Sequence, residues 1–215
     1  MKLLSINVAL PREIGINGQP VLTGIYKEPV NGPVRVGRLT LAGDGQADLT
    51  VHGGEFQAAY SYPVEHYAHW EKVTVSGPFS PGMFGENFTI SGLLENTVCI
   101  GDIWRVGAVR LQVTMPRVPC FKFGHKIARP AILKEFLHSG FSGFYHRVLM
   151  EGSVQAGDAI EVLERDPRGI TVRQMLGLQK LGEGDAGLIR RALEIECLPP
   201  SLRRDLQQRL PAEKS

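Results

Sequence analysis

The sequence predicts a mainly β fold, a closed barrel or a sandwich of short strands, followed by a small helical region. Short stretches of alternating apolar and polar residues recur through residues 1–165, separated by turns that contain glycine. The chain has 25 glycines and 14 prolines in 215 residues, which favours turns over long helices. After residue 166 the apolar spacing becomes that of helices, so we predict domains at 1–165 and 166–215.

The predicted strands follow one another with few interruptions. A turn, NGP at 31–33, separates the second from the third. In chain order the strands are KLLSINVAL (2–10), VLTGIYKEPV (21–30), VRVGRLTL (34–41), AAYSYP (58–63), ENFTI (86–90), VCIGDIWRVG (98–107), VRLQVTM (109–115), FYHRVLM (144–150) and DAIEVLER (158–165).

Two helices are predicted among the strands and three after them. VEHYAHWEKV (64–73) follows Pro63, and ARPAILKEFLHSG (128–140) has a proline near its start and a glycine at its end. In the C-terminal region Asp185 is predicted to cap the second helix and Ser201 the third. Helices this short need the barrel, each other or a second copy of the chain for stability, so a homodimer is possible.

Composition narrows the class of protein. The net charge is +2. Apart from the C-terminal tail, the basic residues do not form a stripe, so we expect no nucleic-acid partner. No apolar run reaches about 18 residues and the N-terminus does not resemble a signal peptide, so we expect no membrane contact and a cytoplasmic protein. Three widely spaced cysteines do not suggest a disulfide framework.

The stretch MPRVPCFKFG (115–124) places Cys120 directly after a proline and between Arg117 and Lys122. Proline restricts the backbone, and a nearby cation favours the thiolate, which is the form that attacks a substrate or binds a metal. The alternative is a small buried apolar side chain beside two surface charges. Cys99 and Cys197 fit that alternative better than Cys120 does.

Three further motifs contain candidate site residues, each with a structural alternative. His52 precedes two glycines in DLTVHGGEFQ and could instead simply cap a turn. The glycine-rich GMFGENFTISG (82–92) offers backbone N–H groups and Asn87 to an anion, or forms a long barrel loop. Tyr145 and Arg147 in GFYHRV could line a pocket for a polyanion or a flat ring, or pack at the end of the barrel.

Taken together, DLTVHGG, YPVEHYAHW, FGENFTISGLLENTVCIGD, VTMPRVPCFKFG and GFYHRVLMEGSVQAGD resemble the motifs of MOSC domains, the C-terminal domains of molybdenum-cofactor sulfurases. The sequence is most similar to the YiiM-like subgroup, with a MOSC β-barrel at 1–165 and an added helical region at 166–215. The resemblance implies a molybdenum cofactor and reduction of N-hydroxylated compounds such as 6-hydroxylaminopurine. It also implies that a separate flavoprotein reductase supplies the electrons.

The resemblance also implies roles for individual residues. Cys120 would ligate the metal, because molybdenum favours soft sulfur ligands, and His52 would donate a proton or a hydrogen bond near it. The remaining predicted cofactor-binding residues are Lys27, Asn87, Arg117, Lys122, Tyr145 and Arg147.

One position departs from the family pattern. Gln57 stands where relatives usually have a basic residue, which would weaken a phosphate contact unless another residue replaces it. Two alternative functions remain open: a sulfur carrier with a persulfide on Cys120, and a non-catalytic carrier of the cofactor.

Overall fold

A computed structural model describes residues 1–48, 53–74 and 77–210 of the chain. His52 therefore lies outside the described residues, and its predicted role stays a prediction. The strands are β1 (Lys2–Val8), β2 (Arg12–Ile16), β3 (Gln19–Thr23), β4 (Glu28–Val30), β5 (Val34–Val36), β6 (Ala59–Pro63), β7 (Phe88–Ser91), β8 (Ile103–Val106), β9 (Val109–Pro116), β10 (Phe144–Met150), β11 (Gly152–Val154) and β12 (Ile160–Glu164). The helices are α1 (Tyr67–Thr74), α2 (Phe121–Lys126), α3 (Ile132–Ser139), α4 (Val172–Leu176), α5 (Ala186–Leu193) and α6 (Pro200–Gln208).

The predicted mainly β class is confirmed by one large sheet. Its eight strands run in the order β12-β8-β9-β10-β6-β7-β1-β4. Adjacent strands are antiparallel, except that β6 and β7 are parallel. The sheet curls until the start of β1 meets the segment before β12, where Leu3 N donates to Asp158 O and Gly157 N donates to Leu3 O. These bonds bring the ends of a barrel-like sheet together, but among the described residues no continuous ladder closes it.

The prediction of one continuous strand at 21–30 is wrong. The first part belongs to β3, which ends at Thr23, and the last part forms β4, which begins at Glu28 in a different sheet. β4 pairs with β1, whereas β5 pairs with β11, so the turn at 31–33 does not join a hairpin. The bend between β3 and β4 matters for the site, since it brings residues 24–27 to the edge of a cavity.

The β2–β3 hairpin was not predicted, although its turn is visible in the sequence. Asn17 and Gly18 have φ values of 51° and 77°, the left-handed pair typical of a type I′ turn between two paired strands. An Asn-Gly pair flanked by alternating residues is the strongest local signal for a hairpin.

Two cores pack against the sheet. In the main core the C-terminal helices cover strand residues, with Ile189, Leu202 and Leu206 in the same buried cluster as Trp104 and Val113. The second core is aromatic and lies among α1, α2 and α3; its largest members are Tyr62, Trp70, Phe84, Phe123 and Phe136.

Helix ends agree only in part with the predicted caps. The Asp185 carboxylate accepts a hydrogen bond from Leu188 N and caps α5, as predicted. Ser201 does not cap α6, because that helix already begins at Pro200 and Pro199 is its N-cap. Within the described residues, none of the helices combines the length and the apolar character needed to cross a bilayer.

Candidate functional site

A cavity of about 110 Å³ opens where the bend after β3, the loop before β7 and the start of α2 converge. It brings together residues that lie far apart in the sequence and belong to several elements. Its lining includes Cys120, Arg117, Lys122, Lys27, Asp44, Asn87, Gln57, Tyr60 and Tyr145, with glycines at 24, 45, 53 and 85.

Cys120 is half-buried and is the N-cap residue of α2, with φ −114° and ψ 168°. The chain turns into a helix directly after the thiol, and the sequence pattern predicts no helix here. Pro119 fixes its own φ and favours an extended Val118, so the backbone that leads to Cys120 is stiff, and α2 begins at the next residue. The sulfur is therefore presented at the junction of two rigid pieces of backbone.

Arg117 is a buried cation whose hydrogen bonds go to neutral groups. Its Nη1 donates to Phe84 O at 2.7 Å and to Tyr60 Oη at 3.4 Å. Burial by itself lowers the pKa of Arg117, but the electrostatic influence of Tyr60, Tyr145 and Cys120 outweighs it and raises the pKa overall. Both hydrogen-bond acceptors are neutral groups, so the guanidinium can still attract an anionic group in the cavity that it lines.

Lys27 lies at the opposite side of the site and forms a buried ion pair with Asp44. Asp44 is held by two further donors, Ala9 N at 2.9 Å and Asn87 Nδ2 at 2.8 Å. Burial lowers the pKa of Lys27, and the attraction of Asp44 offsets part of that effect. A cation that is partly desolvated in this way is a suitable partner for an anionic group in the cavity.

Asn87 lines the cavity, but the structure uses its amide internally. Nδ2 donates to Asp44 and to Asn7 O, and Oδ1 accepts a hydrogen bond from Tyr60 N. Its observed contribution is to orient Asp44, and direct binding of a cofactor by Asn87 stays a prediction.

Two tyrosines form one wall of the cavity. The rings of Tyr60 and Tyr145 lie 5.1 Å apart between centroids, and both contribute to the electrostatic surroundings of Arg117. Burial raises the pKa of both phenols, so they remain neutral at ordinary pH, and the Tyr60 hydroxyl donates a hydrogen bond to Ser142 O at 2.7 Å. Lys122 completes this side; its Nζ donates to Leu22 O at 2.9 Å, which ties α2 to the β2–β3 hairpin.

A short loop at residues 82–86, here called the anchor loop, forms the floor beneath Arg117. The fully buried Glu86 carboxylate accepts hydrogen bonds from Gly82 N at 2.8 Å and Phe84 N at 3.0 Å. Gly85 has a φ of 75°, and a Cβ there would lie 2.8 Å from Ile25 Cγ1. The loop is thus fixed by its own carboxylate and fits closely against the bend at 24–27.

Not every predicted residue reaches the cavity. Arg147 points elsewhere: its Nε donates to Gln112 Oε1 at 2.8 Å, and it is not among the residues that line the described cavity. Gln57, the position that departs from the family pattern, does line it. Asp44 and Tyr60 were missed, because a single aspartate in a glycine turn and a strand tyrosine give no local signal of function.

The donor set fits a cofactor that brings its own metal. Among the described residues, no three His, Cys, Asp or Glu side chains cluster as a metal site. Cys120 can therefore supply one soft ligand, while the other ligands must come with the cofactor. The cations Arg117, Lys122 and Lys27 around the same cavity suit an anionic group of that cofactor.

The MOSC domain family matches residues 48–161, more than half of the chain. The fold and the cysteine-containing cavity thus define a MOSC protein, and the chain belongs to this family. Protein YiiM of Escherichia coli (strain K12) is 33% identical over 194 residues, which cover 89% of this chain and 85% of that protein.

Further similarities agree with this assignment. Uncharacterized protein YflK of Bacillus subtilis (strain 168) is 42% identical over 80% of this chain and 77% of its own length. The crystal structure of YiiM from Geobacillus stearothermophilus has a TM-score of 0.82 at 34% identity, covering 98% of this chain and 99% of that one. A protein of Gibberella moniliformis (strain M3125 / FGSC 7600) named "Reductase" is 36% identical over 70% of this chain, which spans only 27% of that protein.

Proposed function

We propose that this MOSC protein binds the molybdenum cofactor in the cavity and reduces N-hydroxylated compounds such as 6-hydroxylaminopurine. The observation that supports this most is a half-buried cysteine sulfur at a cavity lined by cations. Membership of the MOSC family supports cofactor binding, and the fungal relative named a reductase supports reduction as the type of reaction.

In this proposal each side of the cavity has one task. Cys120 ligates the metal, and Arg117 and Lys122 bind the anionic part of the cofactor. When bound, the cofactor supplies the two-electron chemistry. Tyr145 and Tyr60 supply a flat wall that orients an aromatic substrate.

The overall reaction consumes two electrons and two protons and yields an amine and water. His52 is proposed as a proton donor, and the Lys27 ammonium, whose pKa is lowered by burial and which is paired with Asp44, is a second group at the cavity that carries a proton. The electrons come from a separate flavoprotein reductase, and the protein acts in the cytoplasm. These parts follow from the resemblance to the family and are proposals.

The test is expression in a host that makes the cofactor, followed by molybdenum analysis and assay with 6-hydroxylaminopurine and an electron source. Cys120→Ala should lose most of the bound molybdenum and the activity. Cys99→Ala is the matched control, because Cys99 is also half-buried but does not line the cavity. Equal molybdenum and activity in both variants would contradict the proposal.

The same preparations distinguish the two alternatives. A persulfide carrier would gain the mass of one sulfur atom on Cys120 after incubation with a cysteine desulfurase. A pure cofactor carrier would retain molybdenum but reduce none of the N-hydroxylated substrates.

A further inference from the structure

The segment that carries Cys120 is anchored at both ends to the same loop. Arg117 lies three residues before the cysteine and donates to Phe84 O at 2.7 Å. Lys126 lies six residues after it and donates through Nζ to Gly82 O, also at 2.7 Å. We call residues 117–126 the cysteine segment. Both acceptors are backbone carbonyls of the anchor loop at 82–86.

Lys126 also reaches the opposite wall of the cavity. The same ammonium donates to Ile25 O at 3.0 Å, and Ile25 is one of the lining residues. The two walls already fit closely, because a Cβ at Gly82 would lie 2.5 Å from Lys27 O. One half-buried cation therefore joins the cysteine segment, the anchor loop and the bend at 24–27.

The geometry of α2 allows Lys126 to control the position of the thiol. The helix starts immediately after Cys120 and ends at Lys126, so the two residues are about 9 Å apart along a rigid helical segment. A displacement of the last turn is passed to the N-cap, because a helix this short moves as one body.

The anchor loop is a suitable fixed point. Glu86 holds it from within through the N–H groups of Gly82 and Phe84, and Phe84 is fully buried in the aromatic core. The negative charge of Glu86 also attracts Lys126, although burial dominates and lowers the pKa of Lys126 to about 8.

We propose that Lys126 is a positioning residue that, together with Arg117, fixes the Cys120 sulfur in the cavity. The position of the sulfur follows from the geometry alone. Only the consequence, retention of the cofactor, rests on the proposed function. Lys126 carries no part of the chemistry in this proposal.

The first test uses cofactor-free protein and therefore does not depend on the proposed function. The rate of alkylation of Cys120 by iodoacetamide is followed by peptide mass mapping in the wild type and in Lys126→Met. Loss of a charge-assisted hydrogen bond shifts a local opening equilibrium by roughly tenfold. Cys120 should therefore react about tenfold faster in the variant, while Cys99 in the same sample keeps its wild-type rate.

The matched control is Arg203→Met. Arg203 is also a cation that bonds two backbone carbonyls, Leu193 O and Ile195 O, but in the C-terminal helices. This variant loses bonds of the same kind and should leave the Cys120 rate unchanged. Lys126→Arg keeps a cation at the position and should restore most of the wild-type protection, which a loss of packing alone would not predict.

Three results would overturn the proposal: an unchanged Cys120 rate in Lys126→Met, a parallel acceleration of Cys99, or an equal acceleration in Arg203→Met. If Lys126→Met is not soluble, Lys126→Gln replaces it and should give an intermediate acceleration.

A second measurement addresses the consequence. In a cofactor-producing host, Lys126→Met should retain less molybdenum per protein than Arg203→Met. If the wild type itself contains none, the proposed function fails, whereas the alkylation result still decides the role of Lys126.

Discussion

Cys120 and Cys99 carry the same side chain in opposite electrostatic surroundings. Cys120 lies at the same cavity as Arg117; burial lowers the pKa of that guanidinium, and Cys120 adds to the stronger influence of Tyr60 and Tyr145 that raises it overall. At Cys99, burial and the nearby Asp102 raise the pKa of the thiol. The difference arises from which charges the fold places nearby, and it makes Cys120 the better ligand or nucleophile.

Alkylation of the wild-type protein tests this ranking. Cys120 should react first, Cys99 more slowly, and Cys197 last, because Cys197 is buried and burial raises its pKa to about 11. The measurement is peptide mass mapping at pH 8 over a time course. Reaction of Cys197 before Cys120 would contradict the described geometry.

His146 contributes a pH dependence of stability. It is fully buried on β10 with its Nε2 at 2.8 Å from Ser61 Oγ, and burial lowers its pKa to about 3. In the unfolded chain a histidine protonates near pH 6.5. Between these values the unfolded state binds a proton that the folded state does not, so stability falls as the pH falls.

From pH 6.5 to pH 4.5 this residue should cost about 2–3 kcal/mol of unfolding free energy. His146→Gln should remove that component, so that its stability changes less over this range in urea titrations. His125→Gln, at an exposed position, is the matched control and should retain the wild-type slope. An unchanged slope in His146→Gln would mean that His146 is not buried in its neutral form.

At the scale of elements, the cavity depends on close contacts between loops rather than on the strands themselves. The anchor loop meets the bend at 24–27, and both belong to connections that lead into strands of the large sheet, β7 and β4. Glycines at positive φ make this approach possible, because a side chain would collide with the opposite backbone.

Gly85→Ala should therefore destabilise the protein more than Gly32→Ala. Both positions have positive φ, 75° and 82°, so each substitution costs about 1–2 kcal/mol of backbone strain. At Gly85 the new Cβ also meets Ile25, which adds roughly 1–3 kcal/mol, whereas nothing lies within 4 Å at Gly32. Urea unfolding measures the difference, and equal losses would contradict the described contact.

For the whole molecule, the helices after residue 166 complete the main core. Ile189, Leu202 and Leu206 are buried in the same cluster as residues of the sheet, and Cys197 Sγ donates to Val113 O on β9. The division into domains at residue 165 stays a prediction. The shared core indicates that residues 1–165 need the C-terminal helices for stability.

A chain ending at residue 165 should fail to fold, because each large apolar residue lost from a core costs about 2–5 kcal/mol. Circular dichroism and thermal unfolding of the fragment test this. A cooperative transition near that of the full chain would show that 1–165 is an independent domain.

Light scattering of the full chain tests the predicted homodimer.

The sequence alone determined the mainly β class, two of the three helices between the strands, the helical C-terminal region and the membership of the family, but not α2 (Phe121–Lys126). Alternation, proline and glycine positions and short motifs are local properties, so they can be seen without the fold. The β2–β3 hairpin was within reach too, since Asn17-Gly18 is a local signal.

Only the tertiary structure decided which side chains share the cavity. It placed Asp44 and Tyr60 in the same cavity as Cys120, directed Arg147 to Gln112 and identified Lys126 as the second anchor of the cysteine segment. The contacts that decide this join residues 33 and 44 positions apart, Arg117 to Phe84 and Lys126 to Gly82. Such pairings depend on how the sheet curls and where its loops cross, and no periodicity in the sequence encodes them.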